Sequence, residues 1–108
     1  MTLRYPDRQV GSQLPAFPIR LRDAGAPVDL TAQGASLQFR MVQAAGDELV
    51  KVNDAAATAA DANGNGEYLP AAAEVDTPGD FECQWIYTDP AGNVYRTPII
   101  AQRIVANP

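Results

Sequence analysis

The stretch Phe81-Glu82-Cys83-Gln84-Trp85-Ile86-Tyr87-Thr88 alternates apolar and other residues, with Ile86 as the one exception. The same alternation occurs over residues 17–22 (FPIRLR) and residues 36–41 (SLQFRM). A period of two residues turns one side of an extended chain towards a core and the other towards water, so these stretches predict half-buried antiparallel strands. Pro18 has no backbone N–H to donate, which favours a sheet edge for the first of them.

Turn-forming residues separate these strands. Asn63-Gly64-Asn65-Gly66 contains two Asn-Gly pairs, which are typical of tight hairpins, and Asp89-Pro90-Ala91-Gly92-Asn93 leads from the strand above into residues 94–97. Residues 23–27 and 45–47 are predicted as further turns. Short strands with frequent turns indicate an all-β fold, an antiparallel β-sandwich of about seven to eight short strands.

Two alanine-rich stretches need a separate interpretation. Residues 55–62 lack large apolar side chains at helical spacing, so we predict a weak strand that leads into the Asn-Gly turn. Pro70 suits the first position of a helix, and Pro78-Gly79 would end one. One short helical turn is therefore predicted near residues 70–76.

The length and composition limit the possible functions. A chain of 108 residues predicts one domain, here residues 13–105, with an N-terminal arm at residues 1–12 and a C-terminal tail at residues 106–108. The sequence has no histidine and one cysteine, which excludes histidine-dependent nucleophiles, an internal disulfide and a cysteine zinc site. No catalytic constellation can be assembled, so neither an enzyme nor a cofactor is expected.

Charge and hydropathy bear on the partners. A net charge of -5 and a pI near 4.4 argue against a nucleic-acid partner, because phosphates are bound by clustered lysine and arginine. No apolar run approaches the ~18 residues that cross a bilayer, so no membrane partner is expected. Residues 1–11 lack the apolar segment of a signal peptide, which predicts synthesis in a cytoplasm where Cys83 stays reduced.

Several of these stretches together resemble a known family. They are residues 23–31 (DAGAPVDLT), 37–41 (LQFRM), 65–68 (NGEY), 76–81 (DTPGDF), 84–85 (QW) and 89–94 (DPAGNV). In this order and spacing they resemble the immunoglobulin-like domain at the N-terminus of phage baseplate upper proteins and in related small phage virion proteins. The resemblance covers roughly residues 10–105.

The resemblance implies a fold and a role. The fold would be an immunoglobulin-like β-sandwich. The role would be that of a non-enzymatic part of a virion, in a tail, baseplate or fibre attachment or as head decoration, surrounded by other virion structural proteins. The chain would be made in the bacterial host cytoplasm and would form a homo-oligomer or a symmetric assembly.

Two reactive-looking features have plainer interpretations. Asp61-Ala62-Asn63-Gly64-Asn65-Gly66 fits the opening of an EF-hand calcium loop, but the twelfth position, which requires glutamate, is Ala72. We therefore predict a hairpin turn there and no metal. Cys83 alternates with Phe81 and Trp85, so it should point into the core, where a thiol is inert.

The termini suggest an interface. An apolar side chain in an unstructured arm stays exposed to water unless the arm docks on another surface. Leu3, Tyr5 and Val10 are therefore predicted to lie on a neighbouring subunit, where the arm adds a strand to a sheet edge. The alternative is simple disorder of the arm. Residues 97–105 are strongly apolar and are predicted to form the last core strand, with Ile100 and Ile104 available to a partner.

A second class of function stays open. A module that binds glycans or a host surface would need an exposed aromatic platform. The candidates for such a platform are Tyr5, Tyr68 and Tyr95, whereas Trp85 is predicted to be internal.

Overall fold

The computed structural model describes residues 3–44 and 49–106. The predicted turn at residues 45–47, and the outermost residues of the predicted arm and tail, lie outside the described residues. The described chain contains twelve strands: β1 (Leu3–Arg4), β2 (Arg8–Gln9), β3 (Phe17–Arg20), β4 (Arg22–Asp23), β5 (Ala26–Pro27), β6 (Ser36–Gln43), β7 (Val50–Ala56), β8 (Ala59–Ala60), β9 (Asn65–Tyr68), β10 (Gly79–Thr88), β11 (Val94–Arg96) and β12 (Ile100–Val105). One 3-10 helix, Ala72–Val75, lies between β9 and β10.

The larger sheet has the strand order β1-β12-β10-β6-β7. Its centre is the antiparallel pair of β10 and β6, in which Trp85 lies opposite Phe39. The hairpin strand β11 also pairs with β10, and there Tyr87 lies opposite Tyr95. The short strands β1 and β2 both run parallel to β12. The alternation in residues 81–88 and 36–41 therefore did predict the two central strands.

The smaller sheet has the order β3-β9-β8, and β4 and β5 form a separate two-stranded ribbon. Strand β3 is at an edge of its sheet, as Pro18 predicted, because a residue without an N–H cannot bond to strands on both sides. The alanine-rich stretch forms the end of β7 and the short β8, which pairs with β9 across the predicted hairpin turn.

The two sheets contact each other through aromatic side chains. The Phe39 ring of the larger sheet stacks on Phe17 at 4.8 Å and on Tyr68 at 5.1 Å, and it meets Trp85 at 4.8 Å, measured between ring centroids. Trp85 and Cys83 are fully buried, as the alternation predicted. Ile86, the exception in that alternation, is also buried although it points to the opposite face of β10.

The predicted helical turn is confirmed at Ala72–Val75. The Glu74 carboxylate accepts a hydrogen bond from the Ala71 N–H at 2.9 Å, which satisfies one of the free donors at the start of the turn. Val75 is fully buried and fixes the turn against the core.

The N-terminal segment is part of the larger sheet. Leu3 pairs with Ile100 and Arg8 with Ile104, and the Tyr5 N–H donates to the Ala101 carbonyl at 2.8 Å. The segment thus adds strands to a sheet edge, but the edge is that of its own chain. The partner of this segment in the sheet is the distant C-terminal strand β12.

Candidate functional site

The predicted interface residues have different surroundings. Leu3 is 44% exposed and Val10 is half-buried, whereas Tyr5, Ile100 and Ile104 are buried within this chain. The last three contribute to its own hydrophobic core, and Ile100 and Ile104 point inward from β12. Of the five residues, only Leu3 is exposed.

Tyr5 is held by hydrogen bonds on both sides of its hydroxyl. It donates to the Pro18 carbonyl at 2.7 Å and accepts from the Trp85 indole N–H at 2.9 Å. Burial raises the pKa of Tyr5 well above its usual value, with the hydrogen bond from Trp85 opposing that shift. Tyr5 therefore connects the N-terminal segment to both sheets.

Arg8 also anchors the N-terminal segment, through hydrogen bonds of its side chain. Its guanidinium donates to the carbonyls of Ser12 at 2.9 Å and Pro15 at 2.7 Å and to the Gln102 side-chain oxygen at 3.3 Å, and it lies 4.1 Å from the Phe17 ring centroid. Burial lowers the pKa of this guanidinium. No feature of the local sequence marks Arg8 as buried, and sequence reasoning missed it.

Of the three tyrosines considered for an aromatic platform, only Tyr95 is exposed. Tyr5 is buried as described, and the Tyr68 hydroxyl donates to the Glu74 carboxylate at 2.8 Å, with burial raising the pKa of Tyr68 to about 12. Tyr95 is 52% exposed. The exposed aromatic surface is therefore centred on β11.

Tyr95 lies at an open cleft between the end of the larger sheet and the β4–β5 ribbon. The cleft has a volume of about 460 Å³ and is lined by Leu21, Arg22, Asp23, Val28, Tyr87, Asp89, Asn93, Val94 and Tyr95. Burial, and then the charges of Asp89 and Asp29, raise the pKa of Tyr87. The cleft thus combines two tyrosines and three aliphatic side chains with four polar or charged ones.

A second depression, of about 530 Å³, surrounds the exposed end of the N-terminal strand. Leu3 and Ile99, each 44% exposed, lie in it beside Pro98. Three of its charged side chains are paired, since Arg103 donates to Asp80 at 2.9 Å and Arg4 to Asp7 at 3.4 Å. Exposed pairs of this kind contribute little to stability.

The loop that begins at Asp61 is a hairpin turn, as predicted. One oxygen of the Asp61 carboxylate accepts the backbone N–H groups of Asn63 at 2.8 Å and Asn65 at 3.0 Å, and the other accepts the Asn65 side chain at 3.2 Å. These bonds, with the Asn65 backbone first, lower the pKa of Asp61. The carboxylate is therefore engaged by its own loop.

The single cysteine of the chain, Cys83, is buried. Burial raises the pKa of the Cys83 thiol to about 12, which keeps it protonated and unreactive. The described residues hold no group of three or more Cys, Asp or Glu side chains placed to bind a metal ion. None of the helices in residues 3–44 and 49–106 has the length and apolar character that spanning a bilayer requires.

Comparisons of the chain with protein-family models, with curated proteins and with solved structures found no match.

Proposed function

We propose that this chain is a non-enzymatic structural protein of a bacteriophage virion. It has an immunoglobulin-like sandwich fold and assembles in several copies with other virion structural proteins, in a tail, baseplate or fibre attachment or as head decoration. The observation that carries the proposal is the ordered series of stretches that resembles the phage family. Those stretches coincide with the turns and strands of the structure, such as residues 65–68 on β9 and residues 89–94 on the β10–β11 hairpin.

The strand order supports the immunoglobulin-like part of the proposal. In variable-type immunoglobulin domains the sheet G-F-C-C′ faces a sheet that contains strands B, E and D. Here β12-β10-β6-β7 faces β3-β9-β8, and the aromatic contacts between Phe39, Phe17 and Tyr68 join the two sheets. The order of these seven strands is the one expected of such a domain, which supports the immunoglobulin-like part of the proposal.

The surface chemistry supports binding over catalysis. The carboxylates of Asp61 and Asp89 accept hydrogen bonds from their own loops, and the thiol of Cys83 is buried. What the surface offers is sheet edges and exposed apolar side chains such as Leu3 and Tyr95. Modest contacts of this kind become effective when symmetry repeats them.

The decisive experiment is a quantitative mass-spectrometric inventory of purified particles of the phage that encodes this chain. The proposal expects the chain in the particles at a fixed, multiple copy number. A matched phage with a stop codon early in the reading frame provides the control. Synthesis of the chain in infected cells together with its absence from every particle would contradict the proposal.

Particles labelled with antibody against the chain would place it in the virion. Gold at the tail tip would favour the tail, baseplate or fibre attachment, and gold over the whole capsid would favour head decoration.

A glycan- or host-surface-binding module is the second candidate, and the cleft beside Tyr95 is the observation that favours it. An exposed tyrosine next to polar groups is the surface on which a sugar ring can stack. A glycan array with the wild-type chain and with Tyr95→Ala tests this function. Binding that is lost in the variant supports it, and an array on which the wild type binds nothing removes it.

A further inference from the structure

We infer that the β11 edge is a homotypic contact at which two copies of this chain pair antiparallel about a two-fold axis through Tyr95. The inference deepens the proposed function, because it names the edge by which copies meet. It has three parts: β11 is a strand edge without a proline or irregular backbone, its outward backbone groups match themselves, and it carries no carboxylate.

Most edges of the described sheets carry a feature that blocks further pairing. Pro18 lies in β3, and Pro6 separates β1 from β2, while β8 has two residues. In β7 the backbone of Asp54 has a positive φ of 52°, and Lys51 is tied to Asp76. Proline, irregular backbone and very short strands are the usual protections of a sheet edge.

Strand β11 is also short, at three residues, but none of them is a proline or has a positive φ. It pairs with β10 alone among the described strands, and its three residues are all exposed. Val94 and Tyr95 are 57% and 52% exposed, the two largest exposures among the large hydrophobic residues of the strands.

The hydrogen bonds of the hairpin show which backbone groups face outward. The Asn93 carbonyl accepts from Asp89, and the Thr97 N–H donates to Trp85, so residues 93 and 97 are bonded towards β10. Backbone direction alternates along a strand, so Tyr95 also bonds towards β10, and the N–H and C=O groups of Val94 and Arg96 point to the free edge.

These outward groups match a second copy of themselves. In an antiparallel pair centred on Tyr95, Val94 of each copy lies opposite Arg96 of the other, and the two exchange N–H and C=O bonds. Gly92, where the turn ends, lies opposite Pro98, which has no N–H, so both copies stop pairing at the same point. Tyr87 and Tyr95 already lie opposite each other, so the pairing aligns four tyrosines on one face.

The composition of the edge is compatible with contact between two acidic copies. Residues 93–98 (NVYRTP) contain one arginine and no carboxylate, whereas the whole chain has a net charge of -5. Asp89 is nearby, but its carboxylate is occupied by the loop. Pairing of two β11 edges therefore brings no carboxylate of residues 93–98 opposite another one, which avoids one source of repulsion between two acidic chains.

Disulfide trapping in the isolated full chain tests the register. Tyr95→Cys puts two thiols directly opposite each other, at a spacing that a disulfide can bridge. We expect it to link copies about tenfold faster than Val50→Cys, an exposed residue of the β7 edge, because pairing raises the local thiol concentration. Val94→Cys and Arg96→Cys should link poorly alone and well when mixed. The wild type should stay unlinked, since Cys83 is buried.

Sedimentation velocity over a concentration series gives an independent readout. Arg96→Pro removes an outward N–H without breaking a bond to β10, so it should stay folded by circular dichroism and lose self-association. Arg96→Ala keeps that N–H and should retain the dimer. The inference is overturned if Tyr95→Cys links no faster than Val50→Cys, if Val94→Cys alone links as well as Tyr95→Cys, or if the wild type remains monomeric. None of these results bears on whether the chain is present in particles, so the two proposals fail separately.

Discussion

The hairpins β8–β9 and β10–β11 are built on the same five-residue pattern, Asp-x-x-Gly-Asn, at residues 61–65 and 89–93. In each, one oxygen of the aspartate accepts two backbone N–H groups, and the other accepts the side chain of the asparagine at 3.2 Å. In each, the aspartate N–H also donates to the asparagine carbonyl at 2.9 Å. The five-residue pattern thus determines the hydrogen bonds of both loops.

The surroundings of the two loops are different. Gly64 is buried, and its carbonyl accepts the Leu21 N–H at 2.8 Å, so the first loop is enclosed by the chain that follows β3. Gly92 is exposed, with no neighbouring atom within 4 Å of the position of a β-carbon. The loop sequence thus encodes the shared hydrogen bonds, whereas tertiary packing accounts for the difference in burial. Equivalent substitutions in the two loops can measure how much each contributes to stability.

The largest difference is expected at the tyrosines that follow the two loops. Tyr68 is buried and stacks on Phe39, so Tyr68→Ala should lower the free energy of unfolding by about 3–5 kcal/mol, the usual cost of removing a buried ring. Tyr95→Ala, its exposed counterpart, should change it by about 0.5 kcal/mol or less. Urea denaturation followed by tryptophan fluorescence measures both. Similar losses in the two variants would mean that β11 is packed, contrary to its exposure.

The next largest difference in stability is expected at Gly64 and Gly92, the glycines of the two loops. Both have positive φ, 82° at Gly64 and 91° at Gly92, and this conformation costs an alanine about 1–2 kcal/mol. Gly64→Ala would in addition push its methyl group into the backbone at Leu21 and Val28, which adds about 1–3 kcal/mol of overpacking. We therefore expect the Gly64 variant to have the lower denaturation midpoint. Equal midpoints would show that the first hairpin is not packed against residues 21–28.

The acid dependence of stability should be shared by both loops. Hydrogen bonds, with the backbone of Asn65 or Asn93 as the largest cause, lower the pKa of Asp61 and of Asp89. A lowered pKa in the folded state stabilises the protein above the unfolded value of about 3.9, and this stabilisation is lost as the pH falls through the folded value. Stability should thus decrease below about pH 4, where carboxylates that are charged in the fold become protonated.

Substitution by asparagine isolates this effect, because its amide oxygen can still accept the two backbone N–H groups of the loop, although the bond from the asparagine side chain is lost, and the amide does not titrate. The stability of Asp61→Asn and Asp89→Asn should each fall less steeply with acid, and the double variant should fall least. Some dependence should remain, since hydrogen bonds also lower the pKa of Asp29, Asp76 and Asp80. A double variant with the wild-type acid profile would show that the loops are not the source.

The distinction between local sequence and tertiary packing also explains which features of the fold the sequence could predict. Alternation predicted Trp85, Cys83 and Phe39 as core residues, and turn chemistry predicted both hairpins, because these features depend on near neighbours. The burial of Tyr5 depends on a bond to Trp85, 80 residues away, and on parallel pairing with β12. Local patterns carry no signal for such distant contacts.

The exposed surface at Tyr95 could not be predicted from local sequence either. Tyr68 and Tyr95 each follow an Asp-x-x-Gly-Asn loop, and the sequence treats them alike. Tyr68 faces Phe39 because β9 belongs to the sheet opposite β6, whereas Tyr95 lies on a strand at the rim. Which tyrosine is free to bind a partner follows only from the arrangement of the two sheets.

The smallest effect should come from exchanging the variable positions of the loops. Asp89 precedes Pro90 in the second loop, and the first loop has the same conformation with Ala62 in that place. Because no described hydrogen bond uses the Ala62 N–H, Ala62→Pro should be accepted and should raise the free energy of unfolding by about 0.4–1 kcal/mol, through a lower entropy of the unfolded chain. Pro90→Ala should lower it by about the same amount. Thermal denaturation of both variants and of the double exchange checks this, since opposite effects at equivalent positions should cancel. A clear loss of stability in Ala62→Pro would show that burial of the first loop has changed its backbone from that of the second.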